Sequence, residues 1–165
     1  MRAHTPIPRP APSRRAFSLL ELTLVLVLMG VLAALAVPRY ANALARYRAD
    51  AAARRIVADL DLARSTARSS GTSYTVVFSP ASNSYQVLNI ADPDHPDAAY
   101  TVSLSQDPYN AKLSSASFGG GVSTSTQVTF DGFGSPDNDG TVTLQSGVFQ
   151  RTVTLTAANG KATVQ

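Results

Sequence analysis

Residues 15–37 read RAFSLLELTLVLVLMGVLAALAV, and the interpretation of this stretch decides the fold. From Phe17 to Val37 there are 21 residues, and the one charge among them is Glu21. At 1.5 Å per residue they make ~30 Å of helix, the thickness of a bilayer's hydrocarbon core. The segment is therefore expected to span a membrane. A carboxylate at the centre of such a helix costs ~2.5–3.5 kcal/mol, and less near the interface; Glu21 sits about one turn in. Ionisable groups placed this way are functional by default, the bland alternative being a charge tolerated at the membrane edge.

Upstream, residues 1–16 (MRAHTPIPRPAPSRRA) carry four arginines and no acid. Pro6, Pro8, Pro10 and Pro12 forbid a stable helix. This part reads as a leader, left out of fold reasoning, whose positive charge favours a cytoplasmic location. Arg39, Arg46 and Arg48 follow the apolar run and weaken that asymmetry.

Downstream, the helical pattern continues to Ser70. Apolar positions recur as Tyr40, Leu44, Tyr47 and Ala51, then Ile56, Leu60, Ala63 and Ala67, the spacings of a helix face. Gly71 supplies a stop. Phe17 to Ser70 is thus expected to form one nearly continuous helix of ~80 Å, apolar all round at first and amphipathic later. Beyond Gly71 the period changes from 3.6 to 2. Strands are expected over 73–78, 84–90, 101–104, 128–130, 141–145, 148–156 and 161–164, with a long irregular crossing over 105–127. The expected fold class is α+β: a long N-terminal helix packed on a small antiparallel β-sheet head. The expected divisions are a leader (1–16), a transmembrane helix (17–38), an amphipathic stem (39–71) and a β-rich head (72–165).

Charge follows these divisions. The stem has seven arginines against three aspartates, a net of +4; the head has three cations against seven aspartates, a net of −4. The overall +3 therefore does not describe a basic globular domain, and it argues against nucleic acid as a partner. With no cysteine, zinc–thiolate sites and thiol catalysis are excluded. The two histidines, His4 and His95, fall in the leader and in an acidic loop, and no Ser/His/Asp spacing or phosphate-binding glycine loop stands out. No enzyme activity and no cofactor is expected. Asp92, Asp94, His95 and Asp97 crowd into ADPDHPD, where a calcium site is conceivable but an exposed Pro-stiffened loop is the ordinary explanation. Ser135–Gly140 resembles the start of an EF-hand loop, yet Ser146 stands where a bidentate Glu is needed, so a turn suffices.

The run Arg15-Ala16-Phe17-Ser18-Leu19-Leu20-Glu21 closely resembles the processing motif of type IV pilins and type II secretion pseudopilins. The resemblance implies cleavage by prepilin peptidase between Ala16 and Phe17, and methylation of the new terminus at Phe17. It further implies that Glu21 meets the amine of a neighbouring subunit, a pairing that makes a buried charge tolerable and fixes register. The family has Gly before the cut and this chain has Ala16, so slower cleavage is implied. Gly30 and Pro38 match helix-weakening positions of the family, which would let the segment lose helicity on assembly; Pro38 can equally mark the membrane exit. In the second half, Ala63 to Gly71 leading into Tyr74 to Phe78, then Val128 to Gly134, Arg151 to Leu155 and Gly160, is similar to the H-type minor pseudopilins and their FimT-like pilus relatives. The implied partners are prepilin peptidase, other pilin or pseudopilin subunits, inner-membrane assembly machinery and the membrane itself. The implied location is the bacterial inner membrane, single-pass, with the head in the periplasm. Two other readings remain open: a FimT-like minor pilin of a type IV pilus, with DNA uptake as its role, and an exported domain with an ordinary signal peptide cut after Ala36, since Ala34-Leu35-Ala36 is an A-x-A site.

Overall fold

The computed structural model describes residues 17–92, 97–119 and 125–165. Helix α1 (Leu19–Ser70) is followed by β1 (Tyr74–Ser79), a 3₁₀ turn (Pro80–Ser82), β2 (Ser84–Ala91), β3 (Ala99–Ser103), β4 (Lys112–Phe118), β5 (Gln127–Phe130), β6 (Gly140–Ser146), β7 (Phe149–Thr156) and β8 (Lys161–Val164). The chain divides into two compact units between Arg39 and Tyr40. In the first unit every described residue is exposed.

In the second unit α1 buries one face: Ala49, Ala52, Ala53, Ile56, Asp59, Leu60, Ala63 and Ala67. Five of these eight are alanines, so strands can approach the helix closely. The helix ends where expected. The Gly71 amide returns to the Ala67 carbonyl at 2.9 Å and Gly71 takes φ +67°, a conformation glycine adopts freely.

The head holds two four-stranded antiparallel sheets where a single sheet was expected. One runs β3-β2-β1-β5 and the other β4-β6-β7-β8. The difference arises at Lys112–Phe118, inside the stretch expected to be an irregular crossing. There β4 forms and pairs with β6. β4 also lies against β1 and β5, where Phe118 stacks on Phe78 with ring centroids 5.5 Å apart. Around that contact gather Ile56 and Leu60 from the helix, Val76, Val87 and Phe130 from the first sheet, and Leu113, Leu144 and Leu155 from the second. Gly140 faces the same ring so closely that a Cβ there would lie 2.0 Å from Phe118 Cδ1.

The expected face of the stem needs correcting at its start. Tyr40 and Tyr47 are 72% and 67% exposed, whereas Ile56 and Leu60 are fully buried. The step from Ala51 to Ile56 is five residues, which turns the helix by ~140° beyond a full revolution. Tyr40, Leu44, Tyr47 and Ala51 therefore form a separate stripe, off the face that the strands cover.

Candidate functional site

Ser18 starts the helix. Its Oγ accepts the Glu21 amide at 3.1 Å, and its carbonyl accepts the Leu22 amide at 3.1 Å. Ser18 and Glu21 thus have the S-x-x-E spacing of a capping box, and Glu21 lies in the first turn, where the helix dipole favours an acid. The Thr23 hydroxyl donates to the Leu20 carbonyl at 2.8 Å. Ser18 and Thr23 are satisfied locally, while no ion pair reaches the Glu21 carboxylate among the described residues. The large apolar side chains from Phe17 to Val37 are 44–80% exposed among the described residues. The segment is long and apolar enough to cross a membrane. An all-round apolar helix of this kind needs lipid or another apolar chain around it.

The helix runs through both positions expected to weaken it. Pro38 lies inside α1, where its missing N–H leaves the Ala34 carbonyl without its usual donor. Nothing lies within 4 Å of a Cβ built on Gly30, so no packing inside the chain requires glycine there. Ala16, His4, Asp94 and His95 lie outside the described residues. Among the described residues no group of three metal-ligating side chains converges. The acids of 131–139 are engaged in turns: Asp131 accepts the Phe133 and Ser135 amides at 3.0 and 2.8 Å, Asp137 accepts the Thr129 amide at 3.1 Å, and Asp139 accepts that of Ala157.

The head contains a polar site that the sequence reading passed over. Asp59 is 4% exposed in the middle of the helix's apolar face. Its carboxylate accepts the Tyr85 hydroxyl at 2.5 Å, the Tyr100 hydroxyl at 2.9 Å and Arg55 Nε at 3.0 Å. Arg55 also donates to the Tyr100 oxygen at 2.6 Å. One carboxylate thereby fixes the helix against β2 and β3 at once. Burial, reinforced by the Asp59 charge and hydrogen bond, pushes the Tyr85 phenol well above the ordinary tyrosine range. The Tyr100 phenol is raised too, first by burial and then by its hydrogen bond to Asp59. The signal was present in the spacing, since Asp59 stands three residues after Ile56 and four before Ala63. Further ties run from Arg151 to Asp50, from Arg48 to Asp107 at 3.7 Å, and from Arg64 to the Gly134 and Asn159 carbonyls at 3.3 and 2.8 Å.

A long helix, apolar at its start and packed further on against small antiparallel sheets, defines the class: this is a pilin-like α+β protein. Within that class the chain belongs to the family of the type II transport protein GspH, whose model matches residues 52–160. The match spans the packed part of the helix and nearly all of the head; Phe17, Glu21, Gly30 and Pro38 lie outside it. Among solved structures the chain is similar to the minor pseudopilin EpsH from the type 2 secretion system of Vibrio cholerae, at 15% identity and a TM-score of 0.52, over 72% of this chain and 96% of that one. At that identity the likeness speaks for the fold alone. No curated protein matches the sequence.

Proposed function

We propose that the chain is a structural minor pseudopilin of a type II secretion system. Prepilin peptidase hydrolyses the bond between Ala16 and Phe17 and methylates the freed Phe17 amine. The apolar helix holds the subunit in the inner membrane with its head in the periplasm, until it joins other pseudopilins in a periplasmic filament. There Glu21 pairs with a neighbour's N-terminal amine, and the stretch from Gly30 to Pro38 gives up helicity as subunits pack. The observation that carries this reading is the union, on one helix, of a bare apolar segment whose single acid meets no ion pair among the described residues with a head of the GspH family. Family membership also favours secretion over a pilus that takes up DNA, and the −4 charge of residues 72–165 agrees with that preference.

The test is the intact mass and N-terminal sequence of the membrane-bound chain from cells with an active prepilin peptidase. A start at methylated Phe17 is expected, with Ala16→Gly accelerating its appearance. A start at Met1 overturns the processing scheme, and a start at Val37 replaces it with an ordinary signal peptide.

A further inference from the structure

The second unit ends, on the side where its helix begins, in an apolar and cationic surface that no interaction among the described residues explains. The β6–β7 hairpin turns at Gly147, where an added Cβ would lie 3.2 Å from Ala45 Cβ, so the tip stands beside the first turns of the stem. At that tip Val148 is 81% exposed, and Phe149 lines a groove with Asn42, Ala43, Arg46, Tyr47 and Asp50. The uncovered Tyr40–Tyr47 stripe continues the same surface. Residues 40–48 contribute Arg46 and Arg48 and no acid. Asp50 is engaged by Arg151, and Arg48 is engaged by Asp107. Residues 72–165 carry a net −4, so the Arg46 end of the stem stands beside a head of opposite sign.

We propose that the β6–β7 tip and the Tyr40–Tyr47 stripe form a contact with the membrane surface, resting the head on an anionic phospholipid headgroup layer. The inference rests on the spanning role given above to residues 17–38. Ala45 follows Pro38 by seven positions along the chain, so the hairpin tip is tethered by a short stretch of chain to the end of the spanning segment. The composition fits that place. Tyrosines carry an apolar ring and a polar tip suited to the headgroup level, arginine meets lipid phosphate, and Val148 offers an aliphatic group to the layer beneath. The contact would keep the head down on the membrane before assembly and would be broken as the subunit is drawn into a filament.

The chain has no tryptophan, so one introduced residue reports alone. Val148→Trp, Leu28→Trp and Phe133→Trp are each made in the full chain, which is reconstituted in vesicles of phosphatidylglycerol and acyl-brominated phosphatidylcholine. Phe133 is 84% exposed and lies beside Gly134, which abuts Arg68, 23 residues and ~35 Å of helix beyond Ala45. The expected result is strong bromine quenching for Leu28→Trp, clear quenching with a blue-shifted spectrum for Val148→Trp, and none for Phe133→Trp. Adding Arg46→Glu is expected to abolish the Val148→Trp quenching and leave that of Leu28→Trp intact. If Val148→Trp is quenched no more than Phe133→Trp while Leu28→Trp is quenched, the surface contact is wrong and the spanning segment stands. If Leu28→Trp is itself unquenched, the spanning role fails and takes this inference with it. A blue shift at Val148→Trp without quenching, growing with protein-to-lipid ratio, assigns the surface to a second copy and also overturns the proposal.

Discussion

Asp59→Ala takes away the acceptor shared by Tyr85, Tyr100 and Arg55, and its cost can be worked out group by group. The Tyr85 hydroxyl is in a side chain only 1% exposed, so it loses its partner with no water to replace it, at ~1–3 kcal/mol. Tyr100 keeps Arg55 as a donor but loses its own acceptor, at ~1 kcal/mol. The Arg55 side chain is 39% exposed and can turn to solvent, so its ion pair adds little. Alanine's better helix propensity returns ~0.5 kcal/mol. The net is a loss of ~3 kcal/mol, at the lower edge of what removing one partner of a buried ion pair costs. For a unit of this size such a loss lowers the melting temperature by ~10 °C.

The assay is thermal unfolding of the full chain in detergent, followed by circular dichroism. The informative comparison is a cycle with Tyr85→Phe. In the wild-type background that change removes a good hydrogen bond and destabilises by ~1 kcal/mol. In the Asp59→Ala background it removes an orphaned hydroxyl and is expected to be neutral or to recover ~1 kcal/mol. A cost below ~1 kcal/mol for Asp59→Ala, or an equal cost of Tyr85→Phe in both backgrounds, would refute the account of Asp59 as the fastening between helix and sheet.

The same phenols predict an alkaline weakness. A tyrosine whose pKa is raised in the folded state contributes fully below the unfolded value near ~10, and stability is lost as pH rises from there through the folded pKa. Tyr85 alone steepens the loss by up to ~1.4 kcal/mol per pH unit, so Tyr85→Phe should flatten a stability profile between pH ~10 and ~12; an unchanged slope would count against its burial. Gly140→Ala should destabilise by ~1–3 kcal/mol in a thermal melt, because the new methyl collides with the buried Phe118 ring, and an unchanged melting temperature would mean that the ring moves freely. Glu21→Leu should leave cleavage after Ala16 intact but keep the mature subunit out of sheared or cross-linked filaments; incorporation equal to wild type would remove Glu21 from the assembly scheme.

What could be read from the sequence depended on how regular each pattern was. The helix, its end at Gly71 and the strands β1, β2, β6 and β7 follow periodic runs in which most apolar residues fall on a consistent face, and the four-residue β8 follows the turn at 157–160. β4 was hidden for two reasons. Its sequence KLSSASF buries only Leu113 and Phe118, and the register shifts between Leu113 and Ser115, so the alternation is broken inside the strand itself. Without β4 the second sheet has no edge partner for β6, and one sheet looked sufficient. The stem's faces were confused because alanine is compatible with either side; only the five-residue step from Ala51 to Ile56 separates the exposed stripe from the buried one. Asp59 enters the sequence reading only through the charge count of the stem, although its spacing places it on the apolar face.

Glu21 and Asp59 share a helix and pose the same physical problem in two settings. Each is a carboxylate among apolar neighbours, and each is expensive there unless hydrogen bonds or an opposite charge meet it. For Asp59 the requirement is met inside the chain by two phenols and a guanidinium, drawn from the helix itself and from two strands. That carboxylate is accounted for by folding alone and calls for no partner. For Glu21 the described residues offer only a place in the first turn and a neighbouring cap. The helix dipole there is worth ~0.3–1 kcal/mol, less than the ~2.5–3.5 kcal/mol an acid costs deep in a bilayer. Near the interface the two terms approach balance, so a single subunit can wait in a membrane. Under the proposed assembly the segment would pass into a dry bundle of apolar helices, where the interface is lost and a cation from another chain would restore the balance. The contrast between the two acids is therefore the physical case for giving Glu21, and not Asp59, an intermolecular role.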